Sequence, residues 1–280
     1  MQSKFHDLDV EIVPIRTSGD RGNREVLGSF VREIQESLLS GEVDVALHCL
    51  KDLPTRPVDG LVFGAHLKRE DTSDALITRG AGWSNLPPGS VVGTGSVRRT
   101  SQLAALRPDL RFKPLVGNVD TRMRKLQEGV YDAIVLATAG LKRLGVLDSW
   151  AQSEYAALKV EALTILPAAG QAILVLEILS ISTIAEYIGS LNDVDTQRYG
   201  SAERAFLSYF GTGCSMPVAA QATVQGDRLV LEGLVASVDG QTVIRGTETG
   251  DAAYPESLGA KLAERLCVHG ARELLPEVLQ

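Results

Sequence analysis

Short β-branched runs alternate with segments of helical period through the first two thirds of the chain, and that rhythm then stops. Strands are predicted at Val10 to Ile15, Val43 to His48, Asp74 to Ile77, Ser90 to Gly93, Arg111 to Leu115 and Tyr131 to Ala137. Between them, Ser29 to Leu39, Ser96 to Ala105 and Thr121 to Glu128 carry helical periodicity. Alternation of this kind predicts an α/β fold with parallel sheets. From Val218 to Thr249 the pattern changes to three strand-like runs, separated by the turn sequences Gln225-Gly226-Asp227 and Asp239-Gly240-Gln241. Such turns favour antiparallel hairpins. An amphipathic helix from about Tyr254 to His269 follows, with Gly270 as its C-cap, so the chain is expected to end in a small α+β domain. Boundaries are expected near Arg69 to Ser73 and near Thr183 to Asn192.

A chain of 280 residues is long for one core, and two or three domains are the natural division. No apolar run approaches the roughly 20 residues of a membrane span, and no basic segment followed by an apolar one opens the sequence. The expectation is a soluble, cytoplasmic protein with no membrane partner. Cys49, Cys214 and Cys267 are scattered without metal-ligand spacing, which argues against a disulfide framework or a metal site. The net charge of −7 argues against nucleic acid as a partner. The charge is uneven, however. Residues 98 to 143 hold a surplus of six positive charges, leaving −13 on the remainder, and a basic island of this kind suits a discrete anionic ligand.

Four stretches could carry chemistry. The apolar run Asp44 to Leu50 ends in Lys51 and Asp52, where ligands of open α/β sheets bind, although a surface ion pair would leave the same trace. Gly93-Thr94-Gly95-Ser96-Val97-Arg98-Arg99 is a strand, a glycine turn and a helix start. Free backbone N–H groups and two arginines there favour a carboxylate or phosphate, and the missing Lys-Ser/Thr ending argues against ATP. Gly117-Asn118-Val119-Asp120-Thr121-Arg122 repeats that design, with Arg122 early in its helix, and Arg143 lies in a third cationic turn. Cys214 stands in Gly211-Thr212-Gly213-Cys214-Ser215-Met216-Pro217, a loop that could display a thiol to a ligand or hold an inert one.

The residues resemble the hydroxymethylbilane synthase, or porphobilinogen deaminase, family. The shared motifs are H-x-x-K-D at His48 to Asp52, R-E-D-x-x-D-A at Arg69 to Ala75, G-T-x-S-x-R-R at Gly93 to Arg99 and G-N-x-x-T-R at Gly117 to Arg122. They continue with Tyr131 to Gly145, P-A-x-G-Q at Pro167 to Gln171, and E-R-A at Glu203 followed by G-C-x-x-P at Gly213 to Pro217. The resemblance spans about residues 9 to 275. It implies two periplasmic-binding-protein-like α/β domains, residues 1–68 with 167–190 and residues 69–166, and a C-terminal α+β domain of residues 191–280 with a three-stranded antiparallel sheet. It also implies a monomer, porphobilinogen as substrate, and a dipyrromethane cofactor bound to Cys214 through a thioether. Carried onto this sequence, the family's catalytic carboxylate is Asp52. Cofactor-binding positions are Cys214, Lys51, Ser96, Arg98, Arg99 and Arg122, and substrate-binding positions are Arg143, Gln171, Phe30 and Asn118.

The match departs from the family in places. The family's opening strand and helix, with its R-x-S-x-L-A run, has no counterpart here. Leu27 and Val116 occupy basic positions, and Ala172-Ile173 replaces a Gly-Ala pair after Gln171. These departures motivate an alternative expectation, a homologue that binds porphobilinogen or pyrrole oligomers without completing the chain.

Overall fold

A computed structural model describes residues 5, 8–17, 31–211 and 216–275. The described chain begins with α1 (Arg32–Leu39), β1 (Ala46–Cys49) and β2 (Leu61–His66). It then builds β3 (Asp74–Thr78), β4 (Val91–Gly93), α2 (Val97–Leu106), β5 (Arg111–Lys113), α3 (Val119–Gln127), β6 (Ala133–Ala137), α4 (Thr138–Arg143) and β7 (Lys159–Leu163). Next come β8 (Leu174–Leu179) and α5 (Ala185–Gly189), then α6 (Val194–Tyr209), β9 (Val218–Gln225), β10 (Arg228–Ala236), β11 (Val243–Asp251) and α7 (Pro255–Val268).

The architecture is mixed α/β, with three sheets of order β1-β8-β2, β5-β4-β6-β3-β7 and β11-β10-β9. Parallel pairing is narrower than the alternation predicts. Among the described residues only β4 with β5 and β4 with β6 pair in parallel, whereas β3 opposes both β6 and β7. The first sheet is antiparallel throughout its described strands. The reason lies in the connections. β3 enters the second sheet directly from β2, with no helical crossover before it, and runs against its neighbours, whereas β7 is reached from β6 through α4, keeps the direction of β6 and then leaves directly for β8. Leu67 N donates to Leu174 O (2.9 Å) and Glu70 N to Ala172 O (3.2 Å), which binds these two connections side by side.

The expected strand at Val10 to Ile15 does not form. Residues 8–17 pair with no described strand, Pro14 has no amide to donate, and Ile12 is 87% exposed. In contrast, β2, β7 and β8 arise where no strand was predicted. β7 is a largely exposed edge without alternation, and β2 is interrupted by a register shift between Phe63 and Ala65.

Burial explains the second sheet. Every residue of β3 is buried, because Ala75 and Ile77 pack with Met123, Leu126 and Leu141 on one face while Leu76 packs with Val92 and Leu103 on the other. A sheet covered on both faces favours continuous apolar strands over alternating ones. The third sheet is the expected meander, with Gly226 at φ 62° and Gly240 at φ 75° in its two turns. α7 starts on Pro255 and is followed by Gly270 at φ 88°. The tip of the β10–β11 hairpin lies against α2: a Cβ on Gly240 would stand 2.2 Å from Ser101 O, so only glycine fits that approach.

Candidate functional site

The 3₁₀ turn Leu50–Asp52 follows β1 directly, and its position is fixed from below. Leu50 is buried and its N–H donates to Ile173 O (3.0 Å), so Lys51 and Asp52 are carried at the carboxyl end of the strand. Across from them, Ser96 caps α2 by accepting from Arg99 N (3.4 Å), and Arg98 and Arg99 sit on its first turn. A cavity of about 160 Å³ lies between the two elements. Lys51, Asp52, Ser96, Arg98, Arg99 and Gln171 line it with Ala168, Ala169, Leu207, Met216 and Val218. Residues from all three sheets and their connections therefore converge on one space.

A single hydrogen-bonded chain crosses it. Lys51 Nζ donates to Gln171 Oε1 (3.3 Å), and Gln171 Nε2 donates to Asp74 Oδ1 (2.9 Å) and to Thr72 O (2.8 Å). Asp74 is completely buried and accepts from Arg99 Nε (3.0 Å) and Nη2 (2.6 Å) at Oδ1, and from Arg98 Nη2 (2.7 Å) at Oδ2. Arg98 Nη1 donates to Leu166 O (2.7 Å) and Arg99 Nη1 to Val135 O (3.0 Å). Burial alone would raise the Asp74 pKa, but the two guanidiniums outweigh it and hold the carboxyl well below the usual carboxylate range. Burial likewise lowers the Lys51 pKa, opposed by Asp52.

A second buried pair fixes the wall behind Gln171. Glu203 on α6 accepts from Arg69 Nη1 (2.6 Å) and Nη2 (3.0 Å), and also from the backbone of Gly170 (2.7 Å) and Ala222 (2.7 Å). Arg69 Nε donates to Gln171 O (3.0 Å), which ties the inter-sheet connections to the C-terminal sheet. With all four carboxylate interactions satisfied, this burial is affordable only as a unit.

The cavity thus brings together six of the sequence-predicted positions: Lys51, Asp52, Ser96, Arg98, Arg99 and Gln171. Others stand apart from its lining. Asn118 caps α3 by accepting from Thr121 N (2.9 Å), Arg122 Nε donates to Gly117 O (2.7 Å), and Arg143 Nη2 donates to Ala172 O (2.7 Å). Phe30 and Cys214 lie outside the described residues, as does Leu27. The basic island is also partly self-neutralised, since Arg98 and Arg99 face Asp74, Arg107 pairs with Asp109 and Lys142 with Glu70 and Asp71. Sequence reasoning named Asp74 only as a letter in a motif. Its signal is the pairing of an aspartate opening an apolar strand with two adjacent arginines, and that becomes legible only once β3 and α2 are neighbours.

Chemically, the cavity offers cations beside an apolar shelf, which suits a planar apolar ring bearing carboxylates. A dipyrromethane with its acid side chains fits that donor set. Among the described residues no cluster of three or more metal-ligating side chains occurs, and no helix is long and apolar enough to cross a membrane.

Comparison with known proteins agrees with this chemistry. Residues 1–185 match the family described as porphobilinogen deaminase, dipyromethane cofactor binding domain, and residues 200–267 match porphobilinogen deaminase, C-terminal domain. The chain is 41% identical to a porphobilinogen deaminase of Geobacter metallireducens over 290 residues, covering 100% of this chain and 88% of that protein. It is 42% identical to one of Chromobacterium violaceum over 287 residues, covering 100% and 91%. Among solved structures, the VFT2 domain of Bordetella pertussis BvgS is similar at 19% identity and a TM-score of 0.36, covering 57% of this chain and 66% of that one.

Proposed function

The chain belongs to the porphobilinogen deaminase family, and from that premise we propose that it joins four porphobilinogen molecules head to tail into a linear tetrapyrrole, releasing one ammonia for each unit added. The observation that carries this reading is the convergence of Asp52 and Lys51 on one wall of the cavity with Arg98 and Arg99 on the other. Losing ammonia from an aminomethylpyrrole leaves a cationic azafulvene. A carboxylate beside the pyrrole N–H stabilises that cation and can take part in moving its proton, and Asp52, exposed at the cavity wall, is assigned this role.

A dipyrromethane, when bound, supplies the pyrrole carbon from which the chain grows. Cys214 is assigned as its covalent anchor. Lys51, Ser96, Arg98, Arg99 and Arg122 are assigned to its acid side chains, and Arg143, Gln171, Phe30 and Asn118 to substrate. The cations orient acetate and propionate groups, while Ala168, Ala169, Leu207 and Val218 keep water from the ring faces. We also propose the division into residues 1–68 with 167–190, 69–166 and 191–280, a monomeric state and a cytoplasmic setting.

The test is Asp52→Ala. Turnover of porphobilinogen is expected to fall by roughly 10²–10⁴-fold with the thermal midpoint essentially unchanged, because the side chain is exposed. Turnover near that of the unaltered protein would remove Asp52 from the chemistry.

A further inference from the structure

Arg98 and Arg99 are the strongest donors on the cavity wall, yet an internal carboxylate already holds them. Asp74 accepts from Arg98 Nη2, from Arg99 Nε and Nη2 and from Gln171 Nε2, and it is completely buried. The trio therefore presents a net charge of +1 to a ligand, where the two arginines alone would present +2. A second observation concerns Arg98. Its Nε is buried and has no hydrogen-bond acceptor, although Nη1 and Nη2 are both engaged. An orphaned buried donor on a charged group is costly, and a small rotation that brings another acceptor to the guanidinium relieves it. Arg98 is thus paired in a way that leaves room for a better partner.

We propose that Asp74 is an exchangeable counter-ion: it keeps Arg98 and Arg99 aimed at the cavity and releases part of their donor capacity when a substrate carboxylate arrives, which limits how tightly the site holds an anionic chain. The inference rests on the functional reading above. Its chemical logic is that a ligand gaining carboxylates at every addition must keep moving, and arginines with nothing to return to would hold each position too firmly. Binding that is equally tight before and during the reaction gives no gain in rate. Gln171 extends the device to the opposite wall, because its amide touches Asp74 at one end and the Lys51 ammonium at the other. Asp74 acts through the arginines and is a positioning residue.

The experiment compares the full-length protein with Asp74→Asn in two readouts. Calorimetric titration with glutarate, an inert dicarboxylate, is expected to show binding about tenfold tighter in Asp74→Asn, since a neutral amide cannot hold both guanidiniums. Steady-state assays with porphobilinogen at about 50 and 200 mM salt are expected to show a lower KM, a lower kcat and a steeper salt dependence. A purely structural role would weaken glutarate and raise KM, and either result overturns the proposal. If Asp74→Asn does not fold by circular dichroism, Gln171→Glu decides: a second carboxylate between Asp74 and the Lys51 ammonium adds to the counter-charge on the cavity's cations and should weaken glutarate at least tenfold, and unchanged affinity overturns the proposal. Arg98→Leu separates the two levels of the argument. If it leaves glutarate affinity and KM untouched, the functional reading of the cavity fails. If it weakens both while Asp74→Asn tightens neither, only the role of Asp74 fails.

Discussion

Ala172 is the one non-glycine residue with positive φ among the described residues, at 69°, and it is buried directly after Gln171. An L-residue in that conformation costs about 1–2 kcal/mol. Ala172→Gly removes the strain but loses a buried methyl, about 0.8 kcal/mol, and adds backbone entropy to the unfolded chain, roughly 0.5–1 kcal/mol. The terms nearly cancel, so denaturant unfolding is expected to show a change within about 1 kcal/mol. A loss of about 1.3 kcal/mol or more, the methyl and entropy contributions with nothing to offset them, would mean that the backbone there is unstrained. His66 gives a sharper residue-level effect. It is buried, its Nδ1 has no partner, and burial, assisted by Arg204 and opposed by Asn192, lowers its pKa from 6.5 to about 4. The unfolded chain therefore binds a proton that the folded protein refuses. Stability is complete above about pH 6.5 and is lost as pH falls toward 4. Between pH 7 and 5 this amounts to about 2 kcal/mol. Comparing unfolding of the protein and of His66→Phe across that window checks it, and equal slopes would refute the assignment.

At the scale of elements, the legible features were those with local causes. The turn-to-helix starts at Gly93 to Arg99 and Gly117 to Arg122 stood out, and in the structure Ser96 and Asn118 cap them, because short polar side chains satisfy the free N–H groups of a first turn. The two hairpin turns and α7 were legible for the same reason. β2 and β8 were not, since β8 has no period of its own and forms only as the centre of a sheet whose partners lie more than a hundred residues earlier. The antiparallel entry of β3 escaped for a related reason: alternation reports the presence of strands and helices but not the direction in which a strand crosses between sheets. Asn118→Ala should cost about 1 kcal/mol, with the loss confined to α3. Amide exchange in residues 119–127 is the measurement, and unchanged protection would show that the cap contributes nothing.

The molecule as a whole is held by a few buried polar links across its connections. Arg69 and Glu203 join the connection after β2 to α6 and β9, Asp74 joins β3 to α2, and the Gly240 turn seats the C-terminal hairpin on the same helix. None of this was visible in one dimension, although every residue involved lay in a motif or turn that the sequence singled out. The candidate site was more legible than the fold around it. Six predicted positions share the cavity because strand ends and helix starts are where α/β sheets expose charge, whereas Arg122, Asn118 and Arg143 stand outside its lining, each bonded to nearby backbone. Whether the assembly works as a synthase is decided most directly by the intact mass of the full-length protein before and after incubation with porphobilinogen. One dipyrromethane on the purified protein, lost in Cys214→Ser, followed by further pyrrole increments on incubation, is the expected result. An unmodified mass throughout would contradict the account and leave a homologue that binds porphobilinogen without extending a chain.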